Sequence, residues 1–280
     1  MAYGSIVITG ASSGIGEACA LHFDKKGYRV FAGVRKTSDG EALRQKTSER
    51  LTPLIMDVTD PATLAAAAHA IDRKEISGLV NNAGIAVSGP IELIPLDRLR
   101  EQLEVNVIGQ VAAIQAFMPL LRQGRGRIVN IGSIGGRLAL PINGPYSASK
   151  FAMEAITDSL RMELREWAIH VAIIEPGAVR TPIWDKGMKR AQEMIEQLPE
   201  DGLDLYRYLI NKVKEAAADA ARTAVDPAKV VEAVNHAITS AKPKTRYVIG
   251  RDAKMRLWLN HLPDRKKDDL IMKKINSYKT

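Results

Sequence analysis

Short runs of β-branched and aliphatic residues alternate with longer stretches of helical periodicity along most of this chain, and no other feature limits the fold as much. The runs lie at 5–9, 29–33, 51–56, 78–81, 127–131, 170–174 and 246–249; helical patterns lie near 14–26, 39–48, 60–73, 96–121, 146–168 and 226–240. Parallel neighbours need a crossover of roughly a dozen residues or more, which each helical stretch can supply. The runs are almost continuously apolar, as in strands covered on both faces. Asp226-Pro227 reads as an N-cap followed by a first-turn proline. The expected fold is therefore α/β, a doubly wound parallel sheet of seven strands flanked by helices in a single domain, 1–280. Ligands of such sheets sit outside the carboxyl ends of the strands.

Residues 181–225 break the rhythm and suggest two helices, with Met188, Met194, Ile195 and Leu198 on the first and Leu205, Tyr206, Leu209, Ile210 and Val213 on the second. These stripes suit core packing or a lid over a substrate, and their place after a strand end favours the lid.

Forty Lys and Arg against 32 Asp and Glu give +8, but residues 1–240 hold 28 of each sign and residues 241–280 hold 12 basic and four acidic. The surplus is terminal, so a nucleic-acid partner is not expected. One cysteine, Cys19, excludes an internal disulfide and a cysteine-rich zinc site, and no metal is expected. No basic leader precedes an apolar stretch at the start, and a lone thiol fits a reducing cytoplasm. The longest uncharged window, 105–121, contains Asn106, Gln110, Gln115 and Pro119 and is short and polar for a membrane span.

The chemistry begins at Thr9-Gly10-Ala11-Ser12-Ser13-Gly14-Ile15-Gly16, where a strand turns into a helix. Gly10 permits the turn, Gly14 lets backbone approach a diphosphate, and Gly16 lets the helix sit close to the strand. The unpaired amides of the helix N-terminus offer an anion site. Tyr146-x3-Lys150 then places a phenol and an ammonium on one helix face, and Ser133 closes the strand before it.

Together with Asn81-Asn82-Ala83-Gly84, Asn106 and Pro176-Gly177-x3-Thr181, in that order and spacing, these motifs resemble the classical short-chain dehydrogenase/reductase family over residues 3 to 182. The resemblance implies a Rossmann-like domain and a nicotinamide dinucleotide. A free tyrosine, with a pKa of about 10, is a poor base at neutral pH; the Lys150 ammonium and an oxidised nicotinamide would both favour its phenolate. Tyr146 would then exchange a proton with an alcohol or carbonyl, and Ser133 would hydrogen-bond the same oxygen. By resemblance, Lys150 also holds the nicotinamide ribose and Asn106 positions a water linking Lys150 to solvent. Asn82, Ala83 and Gly84 lie by the adenine ribose, and Asp57-Val58 meets the adenine, although Asp57 could equally cap the next helix. Pro176, Gly177, Val179 and Thr181 hold the carboxamide.

An acid at the end of the second strand would select NAD. Val34 stands there, followed by Arg35 and Lys36, so NADP(H) is expected over NAD(H), with Arg35 on the 2′-phosphate and Ser12, Ser13 and Ile15 completing the turn. The alternative is a solvated Arg35-Lys36 turn with Asp39 serving NAD. Candidate substrate walls, Leu138–Ile142, Val179, Ile183, Trp184 and Met188, are apolar. They suit a hydrophobic alcohol, ketone or aldehyde, steroid-, retinoid- or lipid-like, and the ending from Lys244 resembles the family's hydroxysteroid and retinol dehydrogenase branch. Two other readings stay open: a non-catalytic NADP(H)-binding sensor or scaffold, and a 3-oxoacyl thioester reductase. The resemblance implies a homodimer or homotetramer through 96–121 and 146–168. The basic amphipathic segment 250–280 either docks on the body and walls the pocket, makes a peripheral membrane contact, or meets a polyanion.

Overall fold

The computed structural model describes residues 3–72, 75–196 and 200–278. Among them β1 (Tyr3–Ile8), β2 (Tyr28–Val34), β3 (Leu51–Ile55), β4 (Gly78–Asn81), β5 (Arg127–Ile131), β6 (His170–Pro176) and β7 (Arg246–Ile249) form one parallel sheet in the order β3-β2-β1-β4-β5-β6-β7. All seven expected runs are strands, with ends moved by at most two residues. The chain winds outward from β1 to β3 and returns to lay β4 on the other side of β1. The strand order therefore reverses between β1 and β4, which opens a crevice at their carboxyl ends.

Both faces are covered, which is why the strands are apolar throughout. On one face α1 (Gly14–Lys25) lies beside α9 (Pro227–Thr239), and Phe23, Val230, Val234 and Ala237 are fully buried against Ile6, Ile8 and Ala172. On the other, α3 (Pro61–His69) and α5 (Gly109–Gly124) bury Leu64, Phe117 and Leu121 against Val7, Leu79 and Ile128. Each such large side chain contributes about 1.5–3 kcal/mol. The helix α2 (Thr37–Arg44) lies against β2 and β3, α6 (Gly144–Glu163) against β6, and α4 (Leu96–Leu103) against α6.

Side-chain caps set the starts of two of the helices. Asp60 accepts from Ala62 N (2.9 Å) and Asp226 from Ala228 N (2.9 Å), each just ahead of a proline. The helix expected to reach 73 ends at His69, and residue 73 lies outside the described residues. The helix α6 starts two residues early because Pro145 occupies its first turn, and a 3-10 turn (Leu164–Trp167) ends at left-handed Ala168. The segment 96–124 is one continuous helix broken by a π turn at Glu104–Ile108. It is long and apolar enough to cross a membrane by composition, but here it lies against α3, β4 and α6.

Candidate active site

The chain leaves β1 through Gly10 and enters α1 at Gly14, both with positive φ (64° and 62°). A Cβ on Gly10 would stand 2.8 Å from the Ala83 Cα, so only glycine lets this turn touch the turn after β4. Thr9 joins the two: its hydroxyl accepts from the amides of Asn82 (2.9 Å) and Ala83 (3.0 Å), while the Asn82 side-chain amide donates to the carbonyls of Thr9 and Gly10 (3.0 Å each). The first turn of α1 has no side-chain cap, which leaves its amides free for an anion. Gly16 lies behind this turn; a Cβ there would fall on the Gly10 carbonyl oxygen, so its part is close packing.

A second framework was not visible in the sequence reading. Gln102, Asn106 and Gln110 lie four residues apart along the 96–124 helix and all turn toward the loop after β4. Gln102, fully buried, accepts from Val87 N (2.6 Å) and donates to Ile85 O (3.1 Å). Asn106, on the π turn, accepts from Ile85 N (2.8 Å) and donates to Ile85 O (3.0 Å) and to the Ser149 hydroxyl (3.2 Å). Gln110 donates to Ala83 O and accepts, through its backbone carbonyl, from the Asn81 side chain (3.0 Å). Three carboxamides at this spacing along one helix are the signal that marks such a strut. Asn106 thus braces loop and helix through its bonds to Ile85 and Ser149.

Ser133 follows β5 and caps a 3-10 turn (Ile134–Gly136), its hydroxyl accepting from Gly135 N (3.0 Å). It also hydrogen-bonds the Tyr146 phenol. Burial pushes that phenol above its usual range and the Ser133 bond pulls it back. Lys150, 8% exposed, donates to Ile131 O (2.8 Å), with its Nζ 5.7 Å from the Tyr146 ring centre. Burial pushes the Lys150 ammonium down to about 8, with Glu154 opposing the shift. The phenol, hydroxyl and ammonium therefore border one cavity, Ser133 just past the end of β5 and Tyr146 and Lys150 in the first two turns of α6.

The turn 176–181 leaves β6 and approaches the glycine turn, with the Thr181 Cβ 3.2 Å from where a Gly14 Cβ would stand. Asp252, from α10 (Arg251–Leu259), accepts from Ala178 N (3.1 Å) and steadies this turn. Beyond it stand α7 (Ile183–Ile195) and α8 (Glu200–Arg222). One cavity of about 940 Å³ runs from the glycine turn to these helices. Every site residue singled out from the sequence borders it except Gly16 and Asn106, which support its walls from behind. Arg35 and Val34 close one end, and Asp39 is not among the residues that border it. Asp57 accepts from the Thr59 amide (3.0 Å) and hydroxyl (2.8 Å) while Asp60 caps α3.

At the other end, Leu138, Leu140, Ile142, Ile183, Trp184 and Met188 form apolar walls, joined by Ile195, Ile210 and Val213. Met194 and Ile210 are also buried, Met194 against the Gly89 backbone after β4, so their stripes serve both packing and roof. Leu205 instead faces solvent at 77% exposure, and Leu198 lies outside the described residues. Lys186, not singled out before, reaches from α7 to Ser13 Oγ (3.5 Å). The C-terminal segment forms α10 and α11 (Asp264–Asn276); α10 lies against β7 and the 3-10 turn, and its Arg256 borders the cavity. Cys19 is buried in the core and its thiol is pushed up to about 12, which leaves it without nucleophilic use.

Comparison with known proteins agrees with this arrangement. The short chain dehydrogenase family profile matches residues 5–192. Human dehydrogenase/reductase SDR family member 9 is 37% identical, the alignment spanning 96% of this chain and 87% of that protein. Human retinol dehydrogenase 5 is 38% identical over 92% of this chain and 84% of its own length. The crystal structure of a short-chain dehydrogenase from Streptomyces avermitilis superposes with a TM-score of 0.80 at 28% identity, covering 98% of this chain and 97% of that one. The chain belongs to the short-chain dehydrogenase family and is an oxidoreductase.

Proposed function

We propose that the protein transfers hydride between NADP(H) and a hydrophobic secondary alcohol, ketone or aldehyde of steroid, retinoid or lipid type. The observation that carries this reading is the placement of Ser133, Tyr146 and Lys150 where the glycine-turn end of one cavity meets its apolar end. When bound, the dinucleotide supplies or accepts the hydride. Its fit rests on the uncapped N-terminus of α1 and on the close approach of the turns at Gly10, Ala83 and Thr181. Gly14, Ser12, Ser13 and Ile15 would hold the diphosphate, Asn82, Ala83, Gly84, Asp57 and Val58 the adenosine, and Pro176, Gly177, Val179 and Thr181 the carboxamide.

Tyr146 gives or takes the proton at the substrate oxygen, and Ser133 hydrogen-bonds that oxygen as its charge develops. Lys150 lowers the cost of the phenolate. Asn106 works by position, holding the loop after β4 against α6. The choice of NADP(H) rests on Arg35 at the cavity's edge, on Val34 where an NAD enzyme carries an acid, and on Asp39 standing outside the lining. The apolar walls and the retinol dehydrogenase relatives support the substrate class.

The helices α7 and α8 serve as the lid, and α10 as the brace of the 176–181 turn. Met255 (65% exposed) and Trp258 (61%) remain on the outer side of α10, the part of the segment that a membrane surface would meet. Outward-facing Ile108, Phe151 and Met162 on the two long helices offer apolar surface for a homodimer.

The test is NADPH oxidation with a panel of steroid ketones, retinal, aliphatic aldehydes and 3-oxoacyl thioesters, run beside Tyr146→Phe. Turnover of a hydrophobic carbonyl is expected, lost in Tyr146→Phe with NADPH binding kept. Tight NADPH binding with no turnover across the panel refutes the enzymatic reading, and turnover confined to thioesters refutes the substrate class.

A further inference from the structure

Behind Lys150, on the side away from the cavity, five charged side chains from four elements meet. Glu154 stands one turn further along α6 on the face that carries Lys150, and only 7% of it is exposed. Glu175, on β6, is fully buried. Arg246, on β7, donates through Nη1 to Glu154 Oε2 and Glu175 Oε1 (2.7 Å), and through Nη2 to Asp158 Oδ2 on α6 (2.6 Å). Arg137, just past the 3-10 turn that follows Ser133, donates to Glu175 Oε1 (3.1 Å). The second oxygen of each buried acid, Glu154 Oε1 and Glu175 Oε2, has no protein partner. Two buried carboxylates that share one guanidinium nitrogen repel each other, and an unpartnered oxygen on each favours a proton between them. This cluster touches the site directly. A Cβ on Gly136 would lie 2.8 Å from the Lys150 carbonyl and 3.2 Å from the Glu154 Cγ, so the turn that carries Ser133 closes on α6 at this pair.

We propose that Glu154 is a positioning residue for the reaction: its carboxylate, held by Arg246 and opposed by Glu175, keeps the Lys150 ammonium charged beside Tyr146. The inference rests on the role given to Lys150 above. Burial pushes the Glu154 carboxyl up to about 7, Arg246 pulling against it and the Glu175 charge adding to it. As pH rises through that point Glu154 gives its proton to solvent. Its new charge then favours the Lys150 ammonium in the range where burial would discharge it, near 8. The facing charges are Lys150 and Asp158 on α6, Glu175 on β6, Arg246 on β7 and Arg137 after the 3-10 turn; removing one acid must therefore act through the others.

Glu154→Gln keeps the shape and the acceptor for Arg246, and Glu175→Gln removes the charge that opposes Glu154. The first readout is the pH dependence of Lys150 acetylation by acetic anhydride in the full-length, ligand-free protein, followed by mass spectrometry. The expected midpoint falls by about one pH unit in Glu154→Gln and stays close to wild type in Glu175→Gln, where Glu154 is already ionised at the Lys150 midpoint. The second readout is the alkaline limb of kcat/KM, which should fall in step with the Lys150 midpoint in Glu154→Gln. A merely structural cluster would lower thermal stability in both variants and leave the midpoint unmoved, and that result overturns the inference alone. A midpoint that moves while the kcat/KM limb stays put overturns it together with the proposed role of Lys150. An equal fall in both variants overturns the assignment of the effect to Glu154.

Discussion

Thr9→Val isolates the clasp between the β1 and β4 turns. The substitution keeps the branched shape at a fully buried position and removes only the hydroxyl that accepts from Asn82 N and Ala83 N at 2.9 and 3.0 Å. Each orphaned amide costs about 1–3 kcal/mol. Asn82 and Ala83 border the cavity, where water reaches them, so the lower end applies and the sum is about 2 kcal/mol. For a chain of this size that corresponds to a Tm lower by roughly 4 °C or more. The assay is urea unfolding followed by tryptophan fluorescence; the midpoint should fall with an unchanged m-value. NADPH affinity should weaken as well, because the same two amides set the turn that faces the dinucleotide. Thr9→Ser restores the acceptor and should recover most of both losses. Stability within about 0.5 kcal/mol of wild type in Thr9→Val, or an equal loss in Thr9→Ser, would refute the clasp.

Arg35→Ala should weaken NADPH about tenfold or more and leave NADH unchanged, as expected for loss of a charge-assisted contact to a 2′-phosphate; equal effects on both cofactors would place Arg35 elsewhere. Lys186→Gln, which removes the ammonium beside Ser13, should weaken NADPH about two- to fivefold and flatten its salt dependence, in line with an exposed charge. Unchanged titration curves at low and high salt would show that α7 does not reach the diphosphate.

Much of the site was legible because its signals are local. Gly10, Gly14 and Gly16 announce a turn and a helix start within seven residues, and Tyr146 and Lys150 share a face through helix periodicity alone. The Gln102–Asn106–Gln110 strut carries a local signal too, three carboxamides four residues apart, but their partner loop at 81–87 is not adjacent in sequence. The partners of Arg246 lie further still, on α6 and β6, and nothing near Arg246 in the chain distinguishes it from a solvated arginine. Likewise Asp252 reads as a first-turn helix acid until α10 is seen to hand its carboxylate to Ala178 N.

The terminal basic surplus shows the same division. Its position in 241–280 was set by composition, yet what this segment contributes to the site depends on two basic residues and one acid: Arg246 on Glu154 and Glu175, Arg256 at the cavity wall and Asp252 on the 176–181 turn. By itself the sequence determined the alternation of strands and helices, the glycine turn and the Tyr146–Lys150 face, since backbone geometry and short-range periodicity depend on neighbours a few residues away. Only the tertiary structure decided which buried charges meet and which amides the side chains of Thr9, Gln102 and Asn106 satisfy. Those pairings depend on strand order and helix docking, which bring together groups up to 92 residues apart in the chain.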